Sequence, residues 1–532
     1  MSGARGRTPD YRDRERMPVP PQQYRQQYRP MPPAPSSRYE PPTGRAVRPR
    51  QPRRRSGRRR WILSIVAVLL IALLSVGGYL GFRVYTFLHK VARVSNPIQI
   101  VQQQLGGPAP GTLAYRLQHG QSVNLLVLGY GGPGNDGPYL TDTMMIVSID
   151  SAHQRIAEVS VPRDLWVRID AWQDGRQYQS KINAAFAVPH SPELFAPGPL
   201  RAQYQGRDGP GRLAEAVVTR LTGLQMDRYI GVDFNAFRAA VDALGGVTVC
   251  LDQPLDDPGY GVIIRPGVVQ QGIHFPAGCQ QVNGERALEL ARSRTAIQAS
   301  QATDYGRARR QQLLINAIRK KATSIDAITK LLPLLDSLQG NFITDMDLGD
   351  IKAIYDFGSK LSDSATQRFG ITGQDLVYDY SPGAHGSCGP SNTFVSCPGD
   401  PTFALWHAIF AHLFVDPAVL SEKAPLQLVN GSGNVADLQT RLTNVLRGLG
   451  LQPADGVPGK PVAKTVIYNY SGGDFAQTAA WLQQLLGAQV VPATVNGALA
   501  SPVPVKGQAT KGLVVVLGSD MGRRWLGQAP AG

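Results

Sequence analysis

An uncharged apolar stretch at residues 61–82 constrains this chain more than any other feature. Its 22 residues would reach about 33 Å as a helix, which is enough to cross the hydrocarbon core of a bilayer. A signal peptide would have a shorter apolar core at the N-terminus, whereas this stretch follows 60 other residues and precedes Arg83. We therefore predict one transmembrane helix over residues 61–82.

The segment before this stretch carries most of the net charge. Residues 1–60 hold 17 arginines, no lysine, four acidic residues and 12 prolines, so +13 of the formal net charge of +16 lies there. This composition predicts a disordered tail, because it offers too little apolar surface to offset chain entropy. Arginines beside a membrane span stay on the cytoplasmic side, so we expect everything after about residue 83 to lie outside the membrane.

The distribution of charge also bears on nucleic acid. The residues after the tail carry a net charge of only +3, and the tail shows no helix-turn-helix pattern. We therefore expect no nucleic-acid partner and interpret the tail as topogenic.

All four cysteines follow the predicted span. An even number beyond a membrane anchor favours two disulfides in an oxidising compartment, and Cys250–Cys279 with Cys388–Cys397 is the simplest of three pairings. A zinc site is the alternative, but no C-x-x-C or paired-histidine spacing accompanies these cysteines.

Strand-like and helix-like patterns alternate after a connector at residues 83–120. The continuous apolar run VNLLVLG predicts a buried strand that ends in a glycine-rich loop, and MMIVSID and IAEVSV are further strand candidates. Amphipathic helical patterns follow. The alternation predicts a layered α/β domain with its core at residues 121–325, which the residues up to 420 complete. After the core we expect two helices, ITKLLPLLDSL and LGDIKAIYDFGSKL, and an exposed loop that holds Cys388 and Cys397.

Residues 426–520 show a separate β-α-β-α-β pattern. Its strands are LQLVNGSG, TVIYNY and GLVVVLGSD, with helical patterns between them. We predict a second, small α/β domain there.

Cationic side chains recur where the predicted elements of the first domain end. VPRDLWV places Arg163 after a strand, at the edge where an α/β sheet forms its site, and SKINAAF adds Lys181. ARSR adds Arg292 and Arg294, of which a regular helix would turn only one toward a ligand.

The segment DYGRARRQQ adds a further group. On a helix Arg307, Arg310 and Gln311 share a face that we expect to meet the ligand, whereas Arg309 does not. Any one of these arginines is most simply a solvated surface residue. Several in one domain of modest net charge predict an anion pocket, because guanidinium groups bind phosphate in a bidentate manner.

Aspartates accompany these cations. Asp142, Asp304 and Asp136 offer the hard oxygen ligands that Mg²⁺ needs beside a pyrophosphate. Alone, each is more simply a turn or capping residue. With the arginines they predict an anion pocket that also holds a divalent metal ion.

The order of several motifs resembles the LytR–CpsA–Psr family. These motifs are NLLVLG, LTDTMMIVSID, VPRDLWV, KINAAFA, DRYIGVDFNAFRAAVDALGGVTV and DYGRARRQQ, over about residues 121–325. Residues 426–520 look like the C-terminal domain of some members. The resemblance implies a single-span, Mg²⁺-dependent phosphotransferase of EC 2.7.8 type. Its layered α/β/α catalytic domain, over residues 121–420, would lie outside the membrane and transfer a glycopolymer from a polyprenyl-pyrophosphate carrier to peptidoglycan.

The resemblance also implies roles for individual residues. The pyrophosphate ligands would be Arg163, Lys181, Arg292, Arg294, Arg307, Arg310 and Gln311. The catalytic group would be Asp142, Arg163, Asp304 and Arg307, with Asp142 or Asp304 accepting the hydroxyl proton and both near the metal ion.

The chain departs from the family pattern at two places. It reads GYGG at 129–132 where many members have G-x-D-x-R, and LTDT at 140–143 where many have R-S-D-T. Asp136, in the loop GPGNDGPY, is the candidate to replace the missing carboxylate as a metal ligand.

Three other functions fit parts of the sequence. The arginines could serve a non-catalytic polyprenyl-phosphate binding protein, or a polyprenyl-pyrophosphate hydrolase that uses water as the acceptor. A membrane-bound transcriptional regulator is the third alternative, and the absence of a DNA-binding pattern in the tail disfavours it.

Overall fold

The computed structural model describes residues 107–260, 272–323, 341–383, 388–492, 494–495, 498–499 and 512–528, all within one compact unit. The predicted tail, the predicted span at 61–82 and the predicted helix ITKLLPLLDSL lie outside these residues. Within the part that is described, no helix is both long and apolar enough to cross a bilayer.

The strands are numbered in chain order. They are β1 (Val123–Tyr130), β2 (Thr141–Asp150), β3 (Arg155–Ser160), β4 (Trp166–Ile169), β5 (Tyr178–Lys181), β6 (Arg228–Asp233), β7 (Val247–Leu251), β8 (Leu255–Asp257), β9 (Ile273–Phe275), β10 (Gly278–Val282), β11 (Phe342–Thr344), β12 (Thr366–Gly370), β13 (Val377–Tyr380), β14 (Val395–Pro398), β15 (Leu426–Asn430), β16 (Val457–Pro458), β17 (Val466–Asn469), β18 (Gln489–Pro492), β19 (Thr494–Val495), β20 (Ala498–Leu499) and β21 (Leu513–Leu517).

The α-helices are numbered in the same way. They are α1 (Leu113–Gln118), α2 (Ala184–Ala187), α3 (Gly209–Thr222), α4 (Phe234–Ala243), α5 (Gly284–Arg292), α6 (Asp304–Thr323), α7 (Leu348–Gly358), α8 (Ala404–Ala411), α9 (Pro417–Glu422), α10 (Leu438–Gly448), α11 (Ala476–Leu486) and α12 (Ser519–Trp525).

A six-stranded sheet with the order β11-β6-β1-β2-β3-β12 forms the centre of the first part. The predicted strands β1, β2 and β3 are confirmed, and β1 is central because it is apolar on both faces. Leu125 packs with Leu113 of α1 and Phe357 of α7 on one face, while Leu126 packs with Leu213 of α3 on the other. The mixed α/β fold predicted from the alternating patterns is therefore confirmed.

The region after residue 325 differs from its prediction. The second predicted helix is present as α7, but β11 and β12 also join the two edges of the central sheet. The loop that holds Cys388 and Cys397 is not wholly exposed. Val395 is fully buried, because β14 pairs with β13 and the amide of Ser396 donates to the carbonyl of Asp164 at 3.0 Å.

Both expected disulfides are present. Cys250 and Cys279 lie directly opposite each other on β7 and β10, and Cys388 bonds to Cys397 of β14. The predicted pairing is confirmed.

A second sheet, with the order β16-β15-β21-β17-β18, occupies the C-terminal part. One continuous apolar cluster includes Leu128 of the central sheet and Val515 of β21. Arg441 of α10 lies 3.7 Å from the ring centroid of Tyr378 and donates to the carbonyl of Val377 at 2.8 Å. The second sheet is thus packed against the first part, and the predicted domain boundary near residue 426 stays a prediction.

Candidate functional site

Strand directions bring four segments to one edge of the central sheet. β2 is antiparallel to both β1 and β3, and β6 is parallel to β1, so β1, β3 and β6 all end at the edge where β2 begins. This edge receives the glycine-rich loop after β1, Asp142 at the start of β2, Arg163 after β3 and Asp233 at the end of β6. The expectation that Arg163 lies at the carboxyl edge of the sheet is confirmed.

A cavity of about 1020 Å³ opens at this edge. Its polar lining includes Asp136, Asp142, Arg163, Arg292, Arg294, Arg307 and Gln311. Its apolar lining includes Phe234 and Phe237 of α4 and the second half of α6. Asp233 caps α4 by accepting the amide of Ala236 at 2.8 Å, and so fixes the helix that carries both phenylalanines.

The lining of α6 changes from polar to apolar along the helix. Arg307 and Gln311 line the cavity first, and Leu314, Ile315, Ile318 and Ala322 follow on the same face. At about 1.5 Å per residue, this face extends about 22 Å from Arg307 to Ala322. The cavity is therefore elongated, with arginines at one end and an aliphatic wall along its length.

Two arginines converge on Asp142 at the polar end. Oδ1 of Asp142 lies 2.8 Å from a terminal nitrogen of Arg163 and 2.6 Å from one of Arg294. The carboxylate therefore holds two cations side by side at the cavity wall, where both remain partly exposed.

Asp164 extends this network away from the cavity. Its carboxylate lies 3.2 Å from Nε of Arg163 and 2.7 Å from Nζ of Lys181, and its side chain is almost fully buried. Lys181 is not among the residues that line the cavity, and its ammonium group is bound to Asp164. Its role as a pyrophosphate ligand stays a prediction.

Arg292 and Arg294 both line the cavity, contrary to the expectation that only one of them would. The helix α5 ends at Arg292, and Ser293 has an extended backbone with φ −50° and ψ 134°. Arg294 therefore does not follow the helical rotation. The guanidinium of Arg292 lies over the ring of Phe234, 4.4 Å from its centroid.

Arg310 does not face the cavity. It is 1% exposed, and its guanidinium donates to the carbonyls of Leu290 at 2.9 Å, Gln301 at 2.8 Å and Ser293. Burial lowers the pKa of Arg310 to about 10 and Asp257 opposes that shift, so the side chain stays cationic at neutral pH. The expectation that Arg310 shares the ligand face with Arg307 and Gln311 is therefore wrong.

The structure places two of the three predicted metal-binding aspartates at the cavity. Asp142 and Asp136 line the cavity, whereas the side chain of Asp304 lies outside the described residues. Within the described part, no three histidine, cysteine or acidic side chains lie close enough together to hold a metal ion by themselves. Asp142 and Asp136 could supply one or two carboxylates to an ion whose remaining ligands are phosphate and water oxygens.

Two residues of the site were not expected from the sequence. Asp164 directly follows Arg163, but no sequence pattern predicted that its carboxylate forms ion pairs with both Arg163 and Lys181. Asp257 lies 1% exposed at the end of β8 and binds Ser293, Arg294 and Thr295. It is remote in sequence from that segment, so only the fold brings them together.

The model of the LytR_cpsA_psr family matches residues 90–381, which is more than half of the chain. The chain belongs to this family. The resemblance carried by the motifs of residues 121–325 is thereby confirmed, and the family match includes both β11 and β12.

Similar proteins include two named polyisoprenyl-teichoic acid–peptidoglycan teichoic acid transferase TagU. That of Bacillus cereus (strain AH820) is 26% identical over 287 residues, which cover 54% of this chain and 78% of the relative. That of Oceanobacillus iheyensis is 28% identical over 299 residues, which cover 56% of this chain and 81% of the relative.

Solved structures that match part of this chain include TagT bound to LIIa-WTA and the TagV of B. subtilis. TagV is 22% identical with a TM-score of 0.40, and the match covers 55% of this chain and 97% of TagV. TagT is 20% identical with a TM-score of 0.37, and the match covers 55% of this chain and 90% of TagT.

Proposed function

We propose that this member of the LytR_cpsA_psr family is a membrane-anchored, extracytoplasmic transferase. It moves a glycopolymer from a polyprenyl-pyrophosphate carrier to peptidoglycan. The observation that carries this proposal is the face of α6, which lines one cavity with Arg307 at its polar end and Ile315, Ile318 and Ala322 beyond.

A polyprenyl pyrophosphate has the same polarity as this cavity. Its two phosphates suit the bidentate geometry of Arg163, Arg292, Arg294 and Arg307, and its isoprenoid chain suits the aliphatic wall along α6. The names of the two TagU relatives, which refer to a polyisoprenyl-linked teichoic acid and to peptidoglycan, support the same class of donor and acceptor.

The proposed reaction is a phosphoryl transfer. An acceptor hydroxyl attacks the phosphorus that carries the glycan, and the bond from this phosphorus to the bridging oxygen breaks, so that polyprenyl phosphate leaves. Arg163 and Arg294 are already held side by side on Asp142, so they oppose the charge that develops on the phosphoryl oxygens without reorganising. The hydroxyl proton passes to a carboxylate, either Asp142 at the cavity or Asp304, whose side chain lies outside the described residues.

Mg²⁺ fits the carboxylates of this cavity as a proposed cofactor. Both arginines bind Oδ1 of Asp142, and within the described residues Oδ2 accepts no hydrogen bond. Asp136 would supply the second carboxylate. When bound, the ion would neutralise charge on the pyrophosphate oxygens.

Product analysis tests the proposal against its two alternatives. The full-length protein in detergent would be incubated with Mg²⁺, a polyprenyl-pyrophosphate-linked glycan and a soluble peptidoglycan fragment. Release of polyprenyl monophosphate together with a glycan–peptidoglycan adduct supports the transferase. Release without an adduct indicates a hydrolase, and binding without release indicates a non-catalytic binding protein.

Arg307→Ala and Arg309→Ala form a matched pair for this assay. Arg307 is 3% exposed at the cavity, whereas the side chain of Arg309 is 69% exposed on the same helix and paired with Asp252. We expect Arg307→Ala to lower transfer by about 100-fold and Arg309→Ala to leave it unchanged. Equal activity in both variants would contradict the proposed site.

A further inference from the structure

We propose that Asp257 is a positioning residue that fixes Arg294 at the polar end of the cavity. The inference rests on the proposed function, because it assigns Arg294 to the pyrophosphate of that donor. Asp257 lies in the lining of the cavity, and we assign its effect to the hydrogen bonds that its carboxylate accepts from the segment 293–295.

Among the residues that the structure describes, the hydrogen bonds of the Asp257 carboxylate all go to this segment. Oδ2 accepts the hydroxyl of Ser293 at 2.6 Å and the amides of Arg294 and Thr295 at 3.1 Å each. Oδ1 accepts the hydroxyl of Thr295 at 2.6 Å. Although burial alone would raise the pKa of Asp257, these hydrogen bonds hold it below the ordinary value, so the carboxylate is ionised at neutral pH.

The same segment is held from its other side by Arg310. Its guanidinium donates to the carbonyl of Leu290 in the last turn of α5 and to the carbonyls of Ser293 and Gln301 beyond that helix. Asp257 thus satisfies amide and hydroxyl donors while Arg310 satisfies carbonyl acceptors. A short stretch outside any helix or strand is thereby fixed by two almost fully buried charged groups.

This fixation matters because Arg294 is the exposed member of the arginine pair. Its side chain is 41% exposed, and it leaves an irregular segment to reach Asp142 at 2.6 Å. A mobile segment would lose conformational entropy whenever Arg294 bound a phosphate. Holding the backbone in advance removes much of that loss from the binding step.

Hydrogen exchange tests the positioning without any ligand. In Asp257→Asn, the amides of Arg294 and Thr295 should exchange at least about tenfold faster, because they lose a charged acceptor. Ser293→Ala, a milder variant, should show a smaller change in the same direction. Asp375→Asn is the matched control, since Asp375 is also buried and accepts the amides of Thr372 and Leu376. Unchanged exchange at 294–295 in Asp257→Asn would overturn the proposal.

A double-mutant cycle tests whether the effect reaches the ligand through Arg294. The dissociation constant for geranylgeranyl pyrophosphate with Mg²⁺ would be measured for the full-length wild type, Asp257→Asn, Arg294→Ala and the double variant. We expect Asp257→Asn to weaken binding by about tenfold in the wild type and to have no further effect once Arg294 is absent. An equal effect in both backgrounds would mean a general structural role and overturn the proposal.

The two readouts separate this inference from the proposed function. If the wild type does not bind the probe, the proposed donor is wrong, and the exchange rates at 294–295 still decide whether Asp257 fixes the segment.

Discussion

Asp142 and Arg294 are 152 residues apart in the sequence, yet Oδ1 of Asp142 lies 2.6 Å from a terminal nitrogen of Arg294. The same oxygen accepts Arg163 at 2.8 Å. One carboxylate therefore links the start of β2, the turn after β3 and the segment after α5. Since these three elements meet at the polar end of the cavity, their pairing orients Arg163 and Arg294, two of the cations that we assign to the pyrophosphate.

Asp142→Asn should lower transfer by about 100-fold, because the two guanidinium groups lose the charge that holds them together. Asp170→Asn is the control: Asp170 also binds two arginines, Arg168 and Arg220, but does not line the cavity. Release of polyprenyl monophosphate measures both variants. Wild-type release by Asp142→Asn would contradict the role of the pair.

Arg310→Ala should lower the free energy of unfolding by about 3–5 kcal/mol, because it leaves buried carbonyls without a donor and Asp257 without a nearby cation. Arg309→Ala should change stability by less than about 0.5 kcal/mol, since that side chain is exposed. Urea unfolding of the two variants gives the comparison. Similar stabilities would show that Arg310 is not a structural residue.

Ile315→Asp should weaken binding of geranylgeranyl pyrophosphate by at least about tenfold and leave dimethylallyl pyrophosphate unaffected, because the charge opposes only a chain long enough to reach it. Leu194→Asp adds the same charge at a leucine that is 78% exposed and does not line the cavity. Titration calorimetry with both probes provides the test. An equal loss of affinity for the two probes would mean that the isoprenoid chain does not lie along α6.

Glu215 should make stability fall as pH rises. Burial, reinforced by Asp345, raises the pKa of Glu215 from 4.5 to about 8, and within the described residues its Oε1 has no hydrogen-bond partner. The folded protein retains a proton that the unfolded chain releases above about pH 4.5. The contribution of this retained proton to the free energy of unfolding is therefore complete below about pH 4.5 and is lost as the pH approaches 8.

Glu215→Gln removes this titration, so the variant should gain stability relative to wild type between pH 5 and pH 9. Urea midpoints at these two pH values measure the change. Glu285→Gln, at a half-exposed side chain, should show the same difference from wild type at both pH values. A pH-independent difference for Glu215→Gln would contradict the burial of a proton there.

The elements with strong patterns could be predicted from the sequence. The apolar run of β1 and the amphipathic patterns of α3 and α4 specify their own structure, because burial on one or both faces dictates the spacing of apolar residues. The edge strands could not be predicted. β11 has only three residues, and β12 reads TQRFG, so their strand conformation depends on pairing with β6 and β3.

The residues of the candidate site likewise include some that could be predicted from the sequence and some that could not. Helical geometry of about 100° per residue places Gln311 about 40° to one side of Arg307 and Arg310 about 60° to the other. Both angles are small enough to suggest that the three side chains share one face. The cavity, however, is lined only by the side of α6 that carries Arg307 and Gln311. The partner on the other side, the segment held by Asp257, is far away in sequence and becomes visible only in the fold.

A crystal structure with a bound polyprenyl pyrophosphate would test the central claim most directly. We predict pyrophosphate oxygens within about 3 Å of Arg163, Arg294 and Arg307, with the isoprenoid chain along α6 from Leu314 to Ala322. A lipid bound outside this cavity, or one whose pyrophosphate lies at the Ala322 end, would contradict the proposed site and the reaction derived from it.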